Sequence, residues 1–190
     1  MQLFRRQPRW AYTLAASAAA MAGLLLSPMT SSMLNASVAV AEPVAVVDAA
    51  PLPAPLDVLT AEQQLLALTN ADREQNGLPP LSVDPATLEV ARTRAASQLD
   101  APALSHYDSA GQLAFVHLLE QAGLEYSLAG ENLARSSGLD QGLTERVEDA
   151  LMHSPAHRKN ILERTFTSVA IGAATDANGR IAFAEIFRSV

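Results

Sequence analysis

A chain of 190 residues with 49% hydrophobic and 5% aromatic side chains can bury the core of one domain, and its composition excludes a disordered or collagen-like chain. With no cysteine present, disulfides, thiolate metal sites and a cysteine nucleophile are excluded, so any metal would fall to His and carboxylates. The net charge is -7. Arg5, Arg6 and Arg9 lie in a first 41 residues that hold no acid, so the remainder carries 10 basic against 20 acidic residues, a balance that repels phosphate backbones and argues against nucleic acid as a partner.

The three arginines precede an uncharged stretch from Trp10 to Leu26, and Ala39-Val40-Ala41 follows. Basic start, apolar middle and Ala-x-Ala step read as an export signal over residues 1–41, cleaved before Glu42; the alternative is an uncleaved N-terminal anchor. The expected destination is outside the cell, in the periplasm or in the cell envelope. Residues 42–57 contain Pro43, Pro51, Pro53 and Pro55 among alanines, the composition of an extended linker. The domain is expected over 58–190.

Within it, Thr60 and Gln63 have capping-box spacing, Ala61, Leu65 and Leu68 recur at helical intervals, and Asn76-Gly77 ends the pattern, which predicts a helix over 61–76. Asp84-Pro85 is a cap followed by proline at the first helical position, and Leu88, Ala91, Ala95 and Leu99 line one face of a second helix over 85–100. Ser109 and Gln112 repeat the capping-box spacing ahead of Phe115, Leu118, Leu119 and Ala122, and Gly123 supplies a stop, so a third helix is expected over 110–122. Leu143, Val147, Ala150 and Leu151 form a fourth helix after Asp140, and Ser154-Pro155 begins a short fifth. The period then changes. Ser168–Thr175 and Arg180–Phe187 are apolar runs joined by a turn with Asn178-Gly179, a hairpin signal, and 127–135 offers a third strand. The fold class is α+β, four to five helices around a small antiparallel sheet with a C-terminal hairpin.

Four histidines are present. His106 lies in a loop between two helices, and His157 stands in the first turn of the short helix after Ser154. The positive end of a helix disfavours imidazolium, which biases His157 toward a ligand or base. Glu131, in Gly130-Glu131-Asn132, sits where a loop enters a strand and can orient an imidazole or complete a metal shell. Two imidazoles and a carboxylate suit Zn2+ with an open position. On the residues alone, the plainer reading of the same three is as hydrogen-bonded groups stitching loops to the sheet. His117 and His153 are expected at the surface. Glu185 interrupts an apolar strand, and alternation directs it to solvent rather than to a cleft. No G-x-S-x-G, H-E-x-x-H, Walker or G-x-G-x-x-G motif occurs.

Leu68-Thr69-Asn70-Ala71-Asp72-Arg73, Gly77-Leu78-Pro79-Pro80-Leu81, Ser105-His106, Gly130-Glu131-Asn132-Leu133-Ala134 and Ser154-Pro155-Ala156-His157-Arg158-Lys159-Asn160-Ile161-Leu162 follow one another in this order. Together they resemble a bacterial CAP domain, of the superfamily of cysteine-rich secretory proteins, antigen 5 and pathogenesis-related proteins, over about residues 60–188. The resemblance implies an α-β-α sandwich with a central cleft faced by two histidines and two glutamates that hold zinc. His106, His157 and Glu131 match three of them, while Ser154 stands where the other glutamate belongs and Leu151 replaces a tryptophan. Ser154, Asn132 and Arg158 belong to the cleft or its scaffold on the same matching.

Two functions are in view. One is a non-enzymatic secreted or envelope module whose cleft takes a divalent metal, a lipid or a peptide. The other is a zinc-assisted peptidase in which His106 and His157 hold the metal and Glu131 is the catalytic base.

Overall fold

The computed structural model describes residues 56–190. The expected export signal over 1–41 and all but the last two residues of the 42–57 linker lie outside the described residues. The elements run α1 (Val58–Gln75), β1 (Ser82–Val83), α2 (Pro85–Leu99), α3 (Ala114–Gln121), β2 (Leu128–Ser137), α4 (Leu143–His153), α5 (Pro155–Ile161), β3 (Ser168–Thr175) and β4 (Arg180–Ser189).

Local chemistry sets the helix ends. Asp57, not Thr60, caps α1: its carboxylate accepts the Thr60 amide at 3.0 Å and the Thr60 hydroxyl at 2.6 Å. A charged acceptor at the positive end of the helix outcompetes a hydroxyl, so the helix starts ahead of its expected box. Asp84 caps α2 as expected, accepting the Thr87 amide and hydroxyl at 3.3 and 2.8 Å. The third helix begins at Ala114 rather than 110, because Asp108 accepts the amides of Ala110 and Gln112 at 2.8 and 2.9 Å and folds 108–112 into a turn. The predicted Ser109 to Gln112 box gives way to that turn. Gly123, with φ +66°, ends the helix as expected.

The sheet has the order β1-β3-β4-β2. β3 and β4 form the predicted hairpin, whose turn is held by Asp176 accepting the amides of Asn178 and Arg180, each at 2.9 Å. β2 pairs antiparallel with β4 over its whole length, and the two-residue β1 adds a parallel edge on β3 that the sequence reading did not anticipate.

Helices cover both faces. Val169, Ile171 and Ala173 of β3 and Ile181, Phe183 and Phe187 of β4 pack against α1, α4 and α5, where the rings of Phe166 and Phe187 stack at 5.4 Å. Ala170 and Ile186, on the opposite face, pack against Val90, Ala91, Phe115 and Leu119 of α2 and α3. Each fully buried Ile or Phe contributes roughly 1.5–3 kcal/mol. This two-sided burial corrects the expectation for Glu185. It shares the face of Phe183 and Phe187 and is 1% exposed, because the face that alternation assigned to solvent is covered by α1, α4 and α5.

The α2 layer sits unusually close. A methyl group at Gly172 of β3 would stand 2.3 Å from the backbone of Ala91 and Arg92. Only glycine permits that approach, and α2 is thereby set down on the sheet at the height from which Arg94 reaches β2.

Candidate functional site

β2 is an edge strand, and its alternation sends Glu131 toward the α2 layer and Asn132 toward the α4 and α5 layer. The Gly130-Glu131-Asn132 motif is thus a junction between the two layers. Gly130 admits Phe166 Cζ and Asn160 Oδ1, which would lie 3.0 and 3.3 Å from any added methyl group.

Glu131 is buried, and both of its oxygens are engaged. Oε1 accepts Arg94 Nε at 2.7 Å; Oε2 stands 2.7 Å from His106 Nδ1 and 3.3 Å from Arg94 Nη2. Arg94 also donates to Ser105 O at 2.7 Å, so one guanidinium fixes both the carboxylate and the loop that carries His106. Gln98 Oε1 accepts the Ser105 amide at 2.9 Å, and the Ala114 amide binds His106 O at 2.9 Å. Because a carboxylate accepts, His106 Nδ1 is the donor of this bond, which turns Nε2 away from Glu131 as the ring nitrogen left for a ligand. The His106 side chain is 40% exposed, so that nitrogen can meet a ligand.

His157 approaches from the other layer. Its backbone oxygen accepts Asn132 Nδ2 at 3.2 Å, and Asn160 Nδ2 donates to Asn132 Oδ1 at 2.9 Å and to Glu131 O at 3.2 Å. α5 is therefore pinned to β2 by its side-chain amides, while Ser154 precedes it without the expected side-chain capping bond. Burial first, and the facing charge of His106 second, hold the His157 imidazole below its ordinary value. The two rings thus act on each other across the β2 edge. His117 and His153 are exposed, as expected, and Arg158 is exposed on α5.

A family model described as the cysteine-rich secretory protein family, CAP, matches residues 66–187. The chain belongs to the CAP family. It is 34% identical over 119 residues to the uncharacterized protein YkwD of Bacillus subtilis strain 168, spanning 63% of this chain and 44% of YkwD, so it covers less than half the length of that relative. An extracellular SCP-domain protein from Bacillus anthracis superposes with a TM-score of 0.57 at 27% identity, covering 70% of this chain and 41% of that one. An outer surface protein of Borrelia burgdorferi reaches a TM-score of 0.60 at 18% identity over 72% of this chain and 97% of its own, which shows the shared fold.

The donors of this CAP domain do not fit a zinc held by three protein ligands. Glu131 is bound by Arg94 and by His106 Nδ1, and Ser154 offers no carboxylate, which leaves His106 Nε2 and the His157 ring. Among the described residues no three His, Asp or Glu side chains are grouped to hold a metal ion. Zinc sites keep three or four protein ligands. Glu131 here serves as the partner that orients His106, the alternative considered for it from sequence.

Two buried charged residues beside the CAP motifs, and one buried hydroxyl inside the first of them, were not singled out in the sequence reading. Arg94 lies in the buried row Thr87, Ala91, Arg94, Ala95, Gln98 of α2; Glu148 lies in the row Thr144, Val147, Glu148, Leu151 of α4; Thr69 continues Ala61 and Leu65 of α1. For Arg94 and Glu148 a charge inside an apolar helical stripe was the available signal.

Proposed function

We propose that this chain is an exported CAP-domain binding module that holds a lipid or peptide ligand of the cell envelope against the His106 and His157 imidazoles without turning it over. The observation that carries this reading is the engagement of Glu131: its side chain is wholly buried and accepts three hydrogen bonds from Arg94 and His106, which dedicates it to holding His106 rather than to activating a water. Ligand contact falls to the exposed part of His106 and to the half-buried His157. A shallow surface hollow of about 330 Å³, lined by Tyr107, Gln112, Leu113, Val116, His117 and Glu120, begins one residue beyond His106 and offers mixed polar and apolar surface. Location outside the cytoplasm is supported by the basic, apolar and Ala-x-Ala leader and by the extracellular description of the Bacillus anthracis relative.

Zinc titration calorimetry and a peptide-library digest on the purified chain test the reading together. The expected outcome is weak or no zinc binding and no cleavage. Stoichiometric zinc binding that disappears in His106→Ala and His157→Ala, with peptide turnover abolished by Glu131→Ala, would establish the hydrolase instead.

A further inference from the structure

On the opposite side of β2 from the Arg94 pair, Glu148 of α4 and Glu185 of β4 converge on one hydroxyl. Thr69 Oγ1 of α1 lies 3.1 Å from Glu148 Oε2 and 2.9 Å from Glu185 Oε1. Glu148 is 3% exposed and Glu185 1%, and among the described residues neither forms an ion pair. Asn132 Nδ2 donates to Glu185 Oε2 at 2.8 Å, while Glu148 Oε1 is buried with no hydrogen-bond partner.

Hydrogen counting decides the protonation. A threonine hydroxyl carries one hydrogen and can donate to one acceptor. Two carboxylates cannot both be satisfied by it, whereas a carboxylic acid on one side donates to the Thr69 lone pair while Thr69 donates to the other. Asn132 already donates to Glu185, so the chain of donors runs from Glu148 through Thr69 to Glu185. Among the described residues no Lys, Arg or His is paired with either carboxyl. Asp72 of α1 lies within hydrogen-bonding reach of Glu148, a second carboxyl that Glu148 can bond only while one of the two carries a proton; Thr69 and Asn132 are neutral; and Arg73 of α1 donates to the backbone oxygens of Pro79, Ile161 and Glu163.

We infer that Glu148, Thr69 and Glu185 form a buried proton-binding site that keeps Glu148 a neutral acid at neutral pH and locks α1 and α4 onto the sheet. Loss of that proton leaves two carboxylates on one hydroxyl inside the core, and their repulsion pushes α4 away from β4. The same release reaches the cleft, because Asn132 binds both Glu185 Oε2 and the His157 backbone oxygen. Burial, and for Glu148 also the facing charge of Glu185 and the neighbouring Asp72 carboxyl, push the two groups upward in agreement with this arrangement, Glu148 to about 9 and Glu185 to about 7. The inference stands apart from the ligand reading and does not depend on what the imidazoles bind.

Glutamine has the shape of the protonated acid and cannot ionise, so Glu148→Gln and Glu185→Gln test the site without opening a cavity. Two measurements on the purified chain are needed, infrared spectroscopy of the carboxyl C=O stretch and Tm against pH. A protonated-carboxyl band is expected at pH 7 and is removed by Glu148→Gln. The Tm of the unaltered chain is expected to fall by ~4 °C or more between pH 6 and pH 9.5, and each Gln variant to lose a large part of that fall. A spectrum of the unaltered chain with no such band at pH 7 overturns the inference whether or not the variants fold. So do Tm profiles of all three proteins that run parallel across the range.

Discussion

Arg94 and His106 bind the same carboxylate under different solvation, and that difference orders the cost of losing each. The Arg94 side chain is 5% exposed and Glu131 is fully buried, whereas His106 is 40% exposed. Removing a buried partner strands an uncompensated charge, at a cost of about 3–5 kcal/mol, while a pair with one member in water is worth about 1 kcal/mol or less. Arg94→Met is therefore expected to lower the urea unfolding free energy by about 3 kcal/mol, and His106→Ala by under about 1 kcal/mol. An equal or larger loss in His106→Ala would mean that the loop, not the guanidinium, holds Glu131. Sequence reasoning found His106, Glu131 and His157 because imidazoles and a motif carboxylate stand out against apolar neighbours. It passed over Arg94 and Glu148, whose charge looks like that of a solvated helix face until a layer is known to cover it.

At the scale of elements, the parts legible in the chain were those with local causes. The Asn178-Gly179 turn, the Asp84-Pro85 cap and the glycine stop at Gly123 each arise from residues within a few positions of one another, and each is present. β1 was illegible because its partner, β3, lies over eighty residues away and two residues carry no period. Gly172 belongs to the same class: its necessity comes from α2, remote in sequence. Gly172→Ala would place a methyl group 2.3 Å from the α2 backbone, while Gly130→Ala would place one 3.0 Å from Phe166 Cζ, the far tip of a side chain that can shift by a few tenths of an ångström. Helix backbone cannot give way as a side chain can, so Gly172→Ala should cost about 3 kcal/mol and Gly130→Ala about 1 kcal/mol. Urea midpoints in the reverse order would show that α2 is free to move off the sheet.

For the whole molecule, the decisive fact is that helices cover both faces of the sheet, which turned Glu185 from an expected surface group into a core one. It also sets the response of stability to pH, because the perturbed groups act in opposite directions. Burial alone would raise the Asp84 carboxyl, but hydrogen bonds from Thr87 and Arg188 outweigh it and hold the group below its ordinary value, so its contribution is lost as pH falls below that range. His157, held below the ordinary imidazole value, likewise costs stability as pH falls from near 6.5. Glu148 and Glu185 are raised instead. Their contribution is complete below the ordinary carboxyl value of 4.5 and drains away as pH climbs through about 7 and about 9. With two buried carboxyls on the alkaline side and one half-buried imidazole opposing them between 4.5 and 6.5, the alkaline losses dominate above neutrality. Thermal unfolding followed from pH 3 to pH 10 should therefore show a maximum at roughly pH 4–5, because two carboxyls lose stability above 4.5 where only one imidazole gains it. Glu148→Gln should move that maximum toward neutral pH, since it removes the larger alkaline loss and leaves the acid limb untouched. A maximum at or above pH 8 in the unaltered chain would place the dominant titration elsewhere in the molecule.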